Sequence, residues 1–543
     1  MIKKLIFTFF VATMVLGTGC KKLLDIKPED FVTPEQFFTK ESDAVVALNA
    51  AFDMMTRQYW YGGYNQCRMQ CADDVWMTLT GLGYPGSLTI TAAEPTHIPN
   101  YWNNIYTAIQ YTNIVLDNLP RIPMDETRRG EIKGEALFFR AYCYFLLVDQ
   151  WGAVPLKLKP TAGPNDVNYV RTPVKDVYAQ IIKDMTEAEG LVPTTAKSLY
   201  GGAGYPAKTT VQGMLARVCL TMAGEPLKDA SRFAQAKAWA QKVVDSKEHD
   251  LNPDYQQMCI NYAAGIYDKK ENLWELDLND ASATTEHGYL GYLDGIYQGL
   301  ASFGNSVGQV RITRKLYELY GATTNDTRRD WNCCPFYWKT TTVAEDIDPN
   351  KTFFSATQTY ERCSAKFRLQ YTPAPRTVNR SPINFPLLRY ADVLLMLAEA
   401  DNEVNGGPTT LAYDLVDKVR ARAYGKLKAG ATNLTEANVV RNLNKETFLK
   451  LIQDERCREF PAEAIRKHDL IRWGIFVSSI KELKADVNNT AKPAVTTASA
   501  NGTVGPKVQM TAFGDRVLDR DVLWPIPATE LTFNKLATQN PGW

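Results

Sequence analysis

The sequence predicts a mostly α-helical fold in which paired helices are joined by long irregular loops. Apolar residues recur at intervals of three and four along several segments, continuous β-type alternation is scarce, and two helix-turn-helix units of similar length lie far apart in the chain. With 543 residues, 45% hydrophobic and 22% charged, the chain can bury a large core, and its length allows two to four domains.

The first element is a leader. Lys3 and Lys4 precede an apolar run from Leu5 to Leu16, and Gly17, Thr18 and Gly19 lead into Cys20. A basic start, an apolar stretch shorter than the roughly 20 residues that span a bilayer, and small residues before a cysteine make a secretory signal of the lipoprotein type. Residues 1–19 are therefore expected to be removed, with Cys20 lipidated and the mature chain tethered to a membrane outside the cytoplasm. A plain signal peptide with an incidental cysteine is the alternative reading.

The helices follow. Trp102 and Tyr106 sit four apart and continue into Ile109, Asn113 and Leu116, so they share a helix face. Ile132, Ala136, Phe139, Cys143 and Leu146 predict a helix from about Glu131 to Gln150 that Trp151-Gly152 ends. Val211, Met214, Leu215, Val218, Cys219 and Met222 predict another over Lys208 to Ala223. After Gly224 and Pro226, a partner from Ser231 to Asp245 turns Ala236, Trp239, Ala240, Val243 and Val244 inward. A second pair runs from Arg389 to Val404, through Gly406-Gly407-Pro408, and from Leu411 to Arg422. Pairs of roughly 35 to 40 residues are similar to tetratricopeptide units, where small residues such as Ala216, Ala398 and Ala421 let helices approach closely.

The loops between helices are rich in aromatic residues. Tyr59-Trp60-Tyr61, Tyr64, Trp76, Tyr84, Tyr101-Trp102 and Tyr106 crowd one region, and Tyr289, Tyr292, Tyr297, Phe303, Trp331, Tyr337 and Trp338 crowd another. Trp76, Tyr84, Trp331 and Trp338 lie among Gly, Pro, Asn or Thr, where no buried helix face is predicted, and loops are where binding residues concentrate.

Composition excludes several function classes. A formal net charge of +1, which falls further when Lys3 and Lys4 leave, lacks the basic excess that nucleic acid binding needs. Ten cysteines include Cys20, and the odd remainder does not form a disulfide framework. Cys67 with Cys71, and Cys333 with Cys334, have no second pair at zinc-site spacing, so no metal or other cofactor is expected. The four histidines, His97, His249, His287 and His468, show no HExxH spacing, and no phosphate loop or GxSxG elbow occurs. Asp73-Asp74 offers two acids, but adjacency does not set the separation that glycoside hydrolysis requires, so no catalytic residue is assigned.

Four segments identify a family resemblance. They are Glu135-Ala-Leu-Phe-Phe-Arg-Ala-Tyr142 with Trp151 to Leu156; Leu388 to Ala400; Asp454-Glu-Arg-Cys-Arg-Glu-Phe460 with Arg466, Asp469, Leu470 and Arg472-Trp473-Gly474; and Leu523-Trp-Pro-Ile-Pro527 with Gln539-Asn-Pro-Gly-Trp543. With Leu23-Leu24-Asp25 they resemble, in order and spacing, the SusD/RagB family of nutrient-binding lipoproteins found in Bacteroidetes. Pro461, Ala464-Ile465 and the terminal Trp543 depart locally from its pattern.

The resemblance implies a SusD-like helical fold in two halves, 20–270 carrying the tetratricopeptide-like helices and 271–543 packed with it as one unit. It also implies a surface-exposed outer-membrane lipoprotein that binds an oligosaccharide or other nutrient and delivers it to a SusC-type TonB-dependent transporter. Peptide binding and a protein-docking scaffold remain alternatives. Arg140, Arg389, Arg456 and Glu399 fall in apolar helices, where an unpaired charge is strongly unfavourable, so pairing or backbone bonding is their expected role. Trp524-Pro-Ile-Pro527 suits an extended strap. A pyranose offers a C–H face to an aromatic ring and hydroxyls to polar partners. Arg68, Asp73, Asp74, Trp76 and Tyr84 form one such candidate mix, and Tyr292, Tyr297, Trp331 and Trp338 another.

Overall fold

The computed structural model describes residues 37–543, apart from 64–70, 79–87, 196, 199–203, 279–287, 299–303, 322–324, 339–350, 375, 377–379, 432–436 and 498–504. The leader, Cys20, Arg68 and Tyr84 lie outside the described residues. Local chemistry sets the helix ends. The longest helix, Glu126–Trp151, starts where the Asp125 carboxylate accepts from the Arg128 backbone N–H and stops where Gly152 takes φ +71°. It begins before the Glu131 that periodicity indicates, because its first turn is exposed and carries no apolar signal.

In chain order the N-terminal half holds α1 (Glu41–Asp53), α2 (His97–Asn118), α3 (Glu126–Trp151), α4 (Val174–Leu191), α5 (Lys208–Ala223), α6 (Arg232–Ser246) and α7 (Tyr255–Ala264). The C-terminal half adds the short α8 (Leu290–Leu293), α9 (Arg314–Tyr320) and α10 (Arg329–Asn332), then α11 (Tyr390–Asn405) and α12 (Thr410–Ala423). It continues with α13 (Lys445–Glu459), α14 (Arg466–Arg472), α15 (Phe476–Val487), α16 (Pro506–Arg516) and α17 (Ala528–Phe533). Six short strands are β1 (Val75–Met77), β2 (Asn272–Leu276), β3 (Val310–Ile312), β4 (Phe336–Trp338), β5 (Lys351–Phe353) and β6 (Phe385–Arg389). They pair antiparallel as three two-stranded ribbons, β1–β3, β2–β6 and β4–β5. The fold is mostly helical, as the periodicity predicts, and the helix pairs read from sequence are α5–α6 and α11–α12.

Each helix from α1 to α6 packs on the next, and α11 then packs on α6 with α12 behind it. The stack is thus continued by a helix pair from the other half of the chain. Gly213 lets the β2–β6 ribbon and α11 close on α5, since a Cβ there would meet Leu388 of β6 at 2.7 Å. A continuous apolar core runs from Phe38 to Ile526. The Trp524 strap closes its far end. The Trp524 backbone N–H donates to the Gln150 carbonyl at 2.8 Å, Trp151 Nε1 donates to the Pro525 carbonyl at 3.0 Å, and the two indoles meet edge to face at 5.3 Å. Asn540 Nδ2 then donates to the carbonyls of both Trp151 and Trp524.

The charges inside the helices are paired. Arg389, at the start of α11, reaches Glu271 and Glu459 at 2.9 Å and both oxygens of Glu463 at 2.9 Å. Arg422 of α12 shares Glu459 and Glu271, and Arg328 joins Glu455 and Glu459. A second chain of pairs runs Arg217–Asp392–Arg456–Asp469–Arg472–Glu399, tying α5, α11, α13 and α14. Arg140 of α3 grips Asp184 of α4 with two hydrogen bonds. The pairing expected of Arg140, Arg389, Arg456 and Glu399 is therefore present, though their partners are other residues rather than one another.

Replacing Arg389 by Met leaves three buried carboxylates short of a cation. A loss of about 3–5 kcal/mol is expected in urea unfolding, while removing the exposed Lys159–Asp117 pair leaves the midpoint unmoved. A fully stable Arg389→Met chain would contradict this account.

Candidate ligand-binding face

The β4–β5 ribbon carries a group of aromatic rings that reach the surface at least in part. Adjacent residues in a strand point to opposite faces, so within Phe336-Tyr337-Trp338 the central Tyr337 parts from its neighbours. Phe336 and Tyr337 stay half-buried while Trp338 sinks among Ile296, Cys334, Cys363 and Ala365. Tyr337 meets Tyr297 at 6.1 Å and Phe354 at 5.1 Å between ring centroids, and Phe336 meets Phe353, which is 65% exposed, at 5.9 Å. The Trp338 backbone N–H donates to the Tyr297 carbonyl at 3.2 Å, which holds the ribbon against the Tyr297 segment.

Two further ring groups lie in neighbouring loops. Tyr289 and Tyr292, both half-buried, stand 6.5 Å apart near the start of α8, and the Arg380 guanidinium lies 5.6 Å from the Tyr289 ring. The Tyr289 backbone N–H donates to the Gly62 carbonyl at 2.9 Å, and a Cβ on Gly63 would meet Tyr289 at 2.7 Å. Tyr371, 37% exposed, stacks on Trp331 at 5.9 Å, and the Arg368 guanidinium lies 3.7 Å from the Trp331 ring centroid. Trp331 itself is buried and donates its Nε1–H to the Lys366 carbonyl.

Of the residues singled out from sequence, Tyr292 and Tyr297 keep part of their rings at the surface. Trp331 and Trp338 lie beneath it, where the expectation of exposed loop indoles is corrected: short strands and turns give loops an inner face too. Trp76 is likewise enclosed at 2% exposure. It sits on β1 opposite Arg311 of β3, donates its Nε1–H to the Tyr360 carbonyl and packs on the α14–α16 cluster. Asp73 is fully buried, bound by Arg466 at 2.6 and 3.0 Å and by Lys315 at 2.6 Å. Burial alone would raise its carboxyl, but these two cations hold it well below the usual range. Its neighbour Asp74 is pushed up to about 7 by burial and then by the Asp73 charge.

Tyr337 escaped selection because the sequence does not show that β4 alternates, although an aromatic triplet is a strand signal. Phe353, Phe354, Tyr371 and Arg380 carry no local signal, since their neighbours come from distant segments. Two other concavities lack presented rings. A cleft of about 660 Å³ is lined by Lys247, His249, Asp250, Tyr390 and Lys418, and a groove of about 450 Å³ by Val148, Tyr178, Ile471, Phe476 and Leu523, but Tyr390, Tyr178 and Phe476 are buried.

Chemically, the face offers ring faces and cations. Among the described residues no three His, Cys, Asp or Glu side chains converge as metal ligands, and no helix is long and apolar enough to cross a membrane. The eight described free cysteines are all buried. His97 contacts Glu94, His249 lies between Thr209 and the Lys270 carbonyl, and His468 pairs with Asp149.

Trp76→Ala opens a large cavity and is expected to lose about 3–5 kcal/mol in denaturant unfolding, whereas Tyr337→Ala leaves the midpoint close to the parent. The carboxyls also set the pH response. Glu459, held near 2 although burial alone would raise it, contributes stability above the ordinary Glu value of roughly 4.3 that is lost as pH falls towards 2. Asp74 does the reverse, with a contribution that is complete below roughly 4 and lost as pH rises through about 7. The thermal midpoint should therefore decline from weakly acidic pH towards pH 8, and Asp74→Asn should make that decline shallower. An unchanged slope would refute the assignment.

Comparison with known proteins places the chain. A model described as "SusD family" matches residues 270–543, and one described as "Starch-binding associating with outer membrane" matches residues 52–220. SusD-like protein P2 of Formosa agariphila is 26% identical over 565 residues, covering 100% of both chains, and SusD-like protein P25 of the same organism is 24% identical, covering 86% of this chain and 89% of its own. Among solved structures, a SusD homolog from Bacteroides thetaiotaomicron superposes with a TM-score of 0.82 at 23% identity over 94% of this chain and 98% of its own. A "laminarin binding SusD-like protein" gives 0.67 at 21% identity, and surface glycan-binding protein A from Bacteroides fluxus 0.67 at 19%, each over 93% of this chain and 100% of its own. The fold is shared with all three structures, and because the family model takes in everything from β2 to the terminal strap, the chain belongs to the SusD/RagB family.

Proposed function

We infer that this protein captures an oligosaccharide on the aromatic face and passes it to a TonB-dependent transporter of the SusC type. The observation that carries the reading is the group Tyr297, Tyr337 and Phe354, whose rings meet through Tyr337 along a half-buried ribbon. Ring faces pack against the C–H faces of sugars, and an array of them gives modest, reversible affinity on a preformed surface. The printed names of two structural neighbours, one laminarin-binding and one glycan-binding, support a saccharide as ligand. Delivery to a transporter rests on kinship.

The same proposal places the mature chain on the outer membrane, anchored through lipid on Cys20 and displayed at the cell surface. The leader sequence and the description of the family model over residues 52–220 support it. The role is binding rather than catalysis. Asp73, the acid nearest Trp76 that is held ionised, is engaged by Arg466 and Lys315. The residues 20–270 and 271–543 act as one body in this reading, supported by the α6–α11 packing and the Arg389–Glu271 pair.

Retention of the purified chain on immobilised glycans tests the reading. Tyr297→Ala and Tyr337→Ala should each weaken retention about tenfold, in line with a loss of 1–1.5 kcal/mol per ring, at an unchanged thermal midpoint. Full retention by the double variant would sink it.

A further inference from the structure

Most buried cations of this protein pair with carboxylates, but among the described residues Arg311, Arg362, Arg368 and Lys467 do not, Arg362 lying against Tyr317 and Lys467 against Phe476 and Trp524. In the helical body the buried guanidiniums of Arg140, Arg328, Arg389, Arg422, Arg456, Arg466 and Arg472 each meet at least one carboxylate. Behind the face, Arg311 and Arg368 are just as buried, at 7% exposure each, but among the described residues neither has a carboxylate within ion-pair distance. Arg311 Nη1 donates to the Glu361 carbonyl at 2.6 Å and to Cys363 Sγ at 3.1 Å, while its buried Nε has no partner. Arg368 donates only to the carbonyls of Ala365, Asp330 and Trp331. Arg380, half-buried, makes no hydrogen bond or ion pair among the described residues.

Each of the three cations lies against one of the ring groups described above. Arg311 is 5.9 Å from the Tyr297 centroid, Arg380 is 5.6 Å from Tyr289, and Arg368 stands against Trp331, on which the exposed Tyr371 stacks. Among the described residues no acid pairs with them: Glu361 accepts from the Thr496 hydroxyl and forms no ion pair, and burial pushes the Asp294 carboxyl well up. Cations buried without counter-charge are unfavourable, and cation–π contact offsets only part of that. A bound anion supplies the rest, so occupancy by a charged ligand is favoured over a neutral one of the same shape.

Resting on the saccharide reading above, we propose that the ligand of the aromatic face is an anionic oligosaccharide, a carboxylate or sulfate group of which pairs with Arg380 while the buried charges of Arg311 and Arg368 favour it from behind the rings. The rings then bind the sugar faces, and Arg380 sits at the edge, open to solvent and able to pair directly with an acidic substituent.

Calorimetry on the detergent-solubilised full chain tests this with matched ligands. One pair is a galacturonic acid tetrasaccharide and its methyl ester, another is a sulfated galactan tetrasaccharide and its desulfated form, and a laminarin oligosaccharide serves as an unrelated neutral probe. At low salt the acidic member of at least one pair should bind tenfold or more tighter than its neutral counterpart, which also tells carboxylate from sulfate. That preference should shrink at 0.5 M NaCl and fall at least threefold in Arg380→Gln, with the thermal midpoint of the variant showing that it is folded. Equal binding within both pairs, or binding of laminarin alone, would overturn the anionic ligand and leave saccharide capture standing. Binding to none of the five would overturn both.

Discussion

Arg389 and Glu459 meet in the interior, and much of the architecture follows from the need to keep that meeting intact. A charge taken out of water is tolerable only beside an opposite charge in good geometry. Glu459 accepts from Arg328, Arg389 and Arg422, and Arg389 in turn holds Glu271 and Glu463. The residues before β2, at the start of α11, on α12, at the end of α13 and just beyond it must therefore converge. Their convergence fixes the β2–β6 ribbon, and the ribbon leads directly into α11, which docks on α6.

That constraint explains how a loop-borne aromatic face keeps its shape. The ribbons and turns that carry Tyr297, Tyr337 and Phe353 have little helix of their own, yet their inner sides are fastened to the charged interior. Lys366, whose carbonyl accepts from Trp331, is itself buried against Glu463. Arg368 braces the turn through three carbonyls. Ring contacts on the outer side thus rest on ion pairs within, and the face is held in place by the fold itself.

The acids near Trp76 show the same economy of charge. Asp73 stays ionised because Arg466 and Lys315 reach it, and Asp74, one residue on, is left without such partners and is pushed towards its neutral form. Two adjacent carboxyls in one buried site cannot share equal environments. Asp73 anchors β1 to α9 and α14, and both acids lie beneath the surface in the support of β3 and Arg311.

By itself the sequence determined the helices, because a face buried over four or more turns must repeat at the helical period, and α5 was legible to its end residues. It also determined that Arg140, Arg389, Arg456 and Glu399 needed partners, since an apolar surround forbids a lone charge. Only the tertiary structure decided who those partners were, and which aromatics reach the surface. Tyr337 and Trp338 are neighbours of similar chemistry, yet one is presented and the other enclosed. Their difference comes from a three-residue strand on which Trp338 turns into the cluster of Ile296, Cys334, Cys363 and Ala365 while Tyr337 turns the other way, and so short an element leaves no period in the sequence from which its inner side can be read.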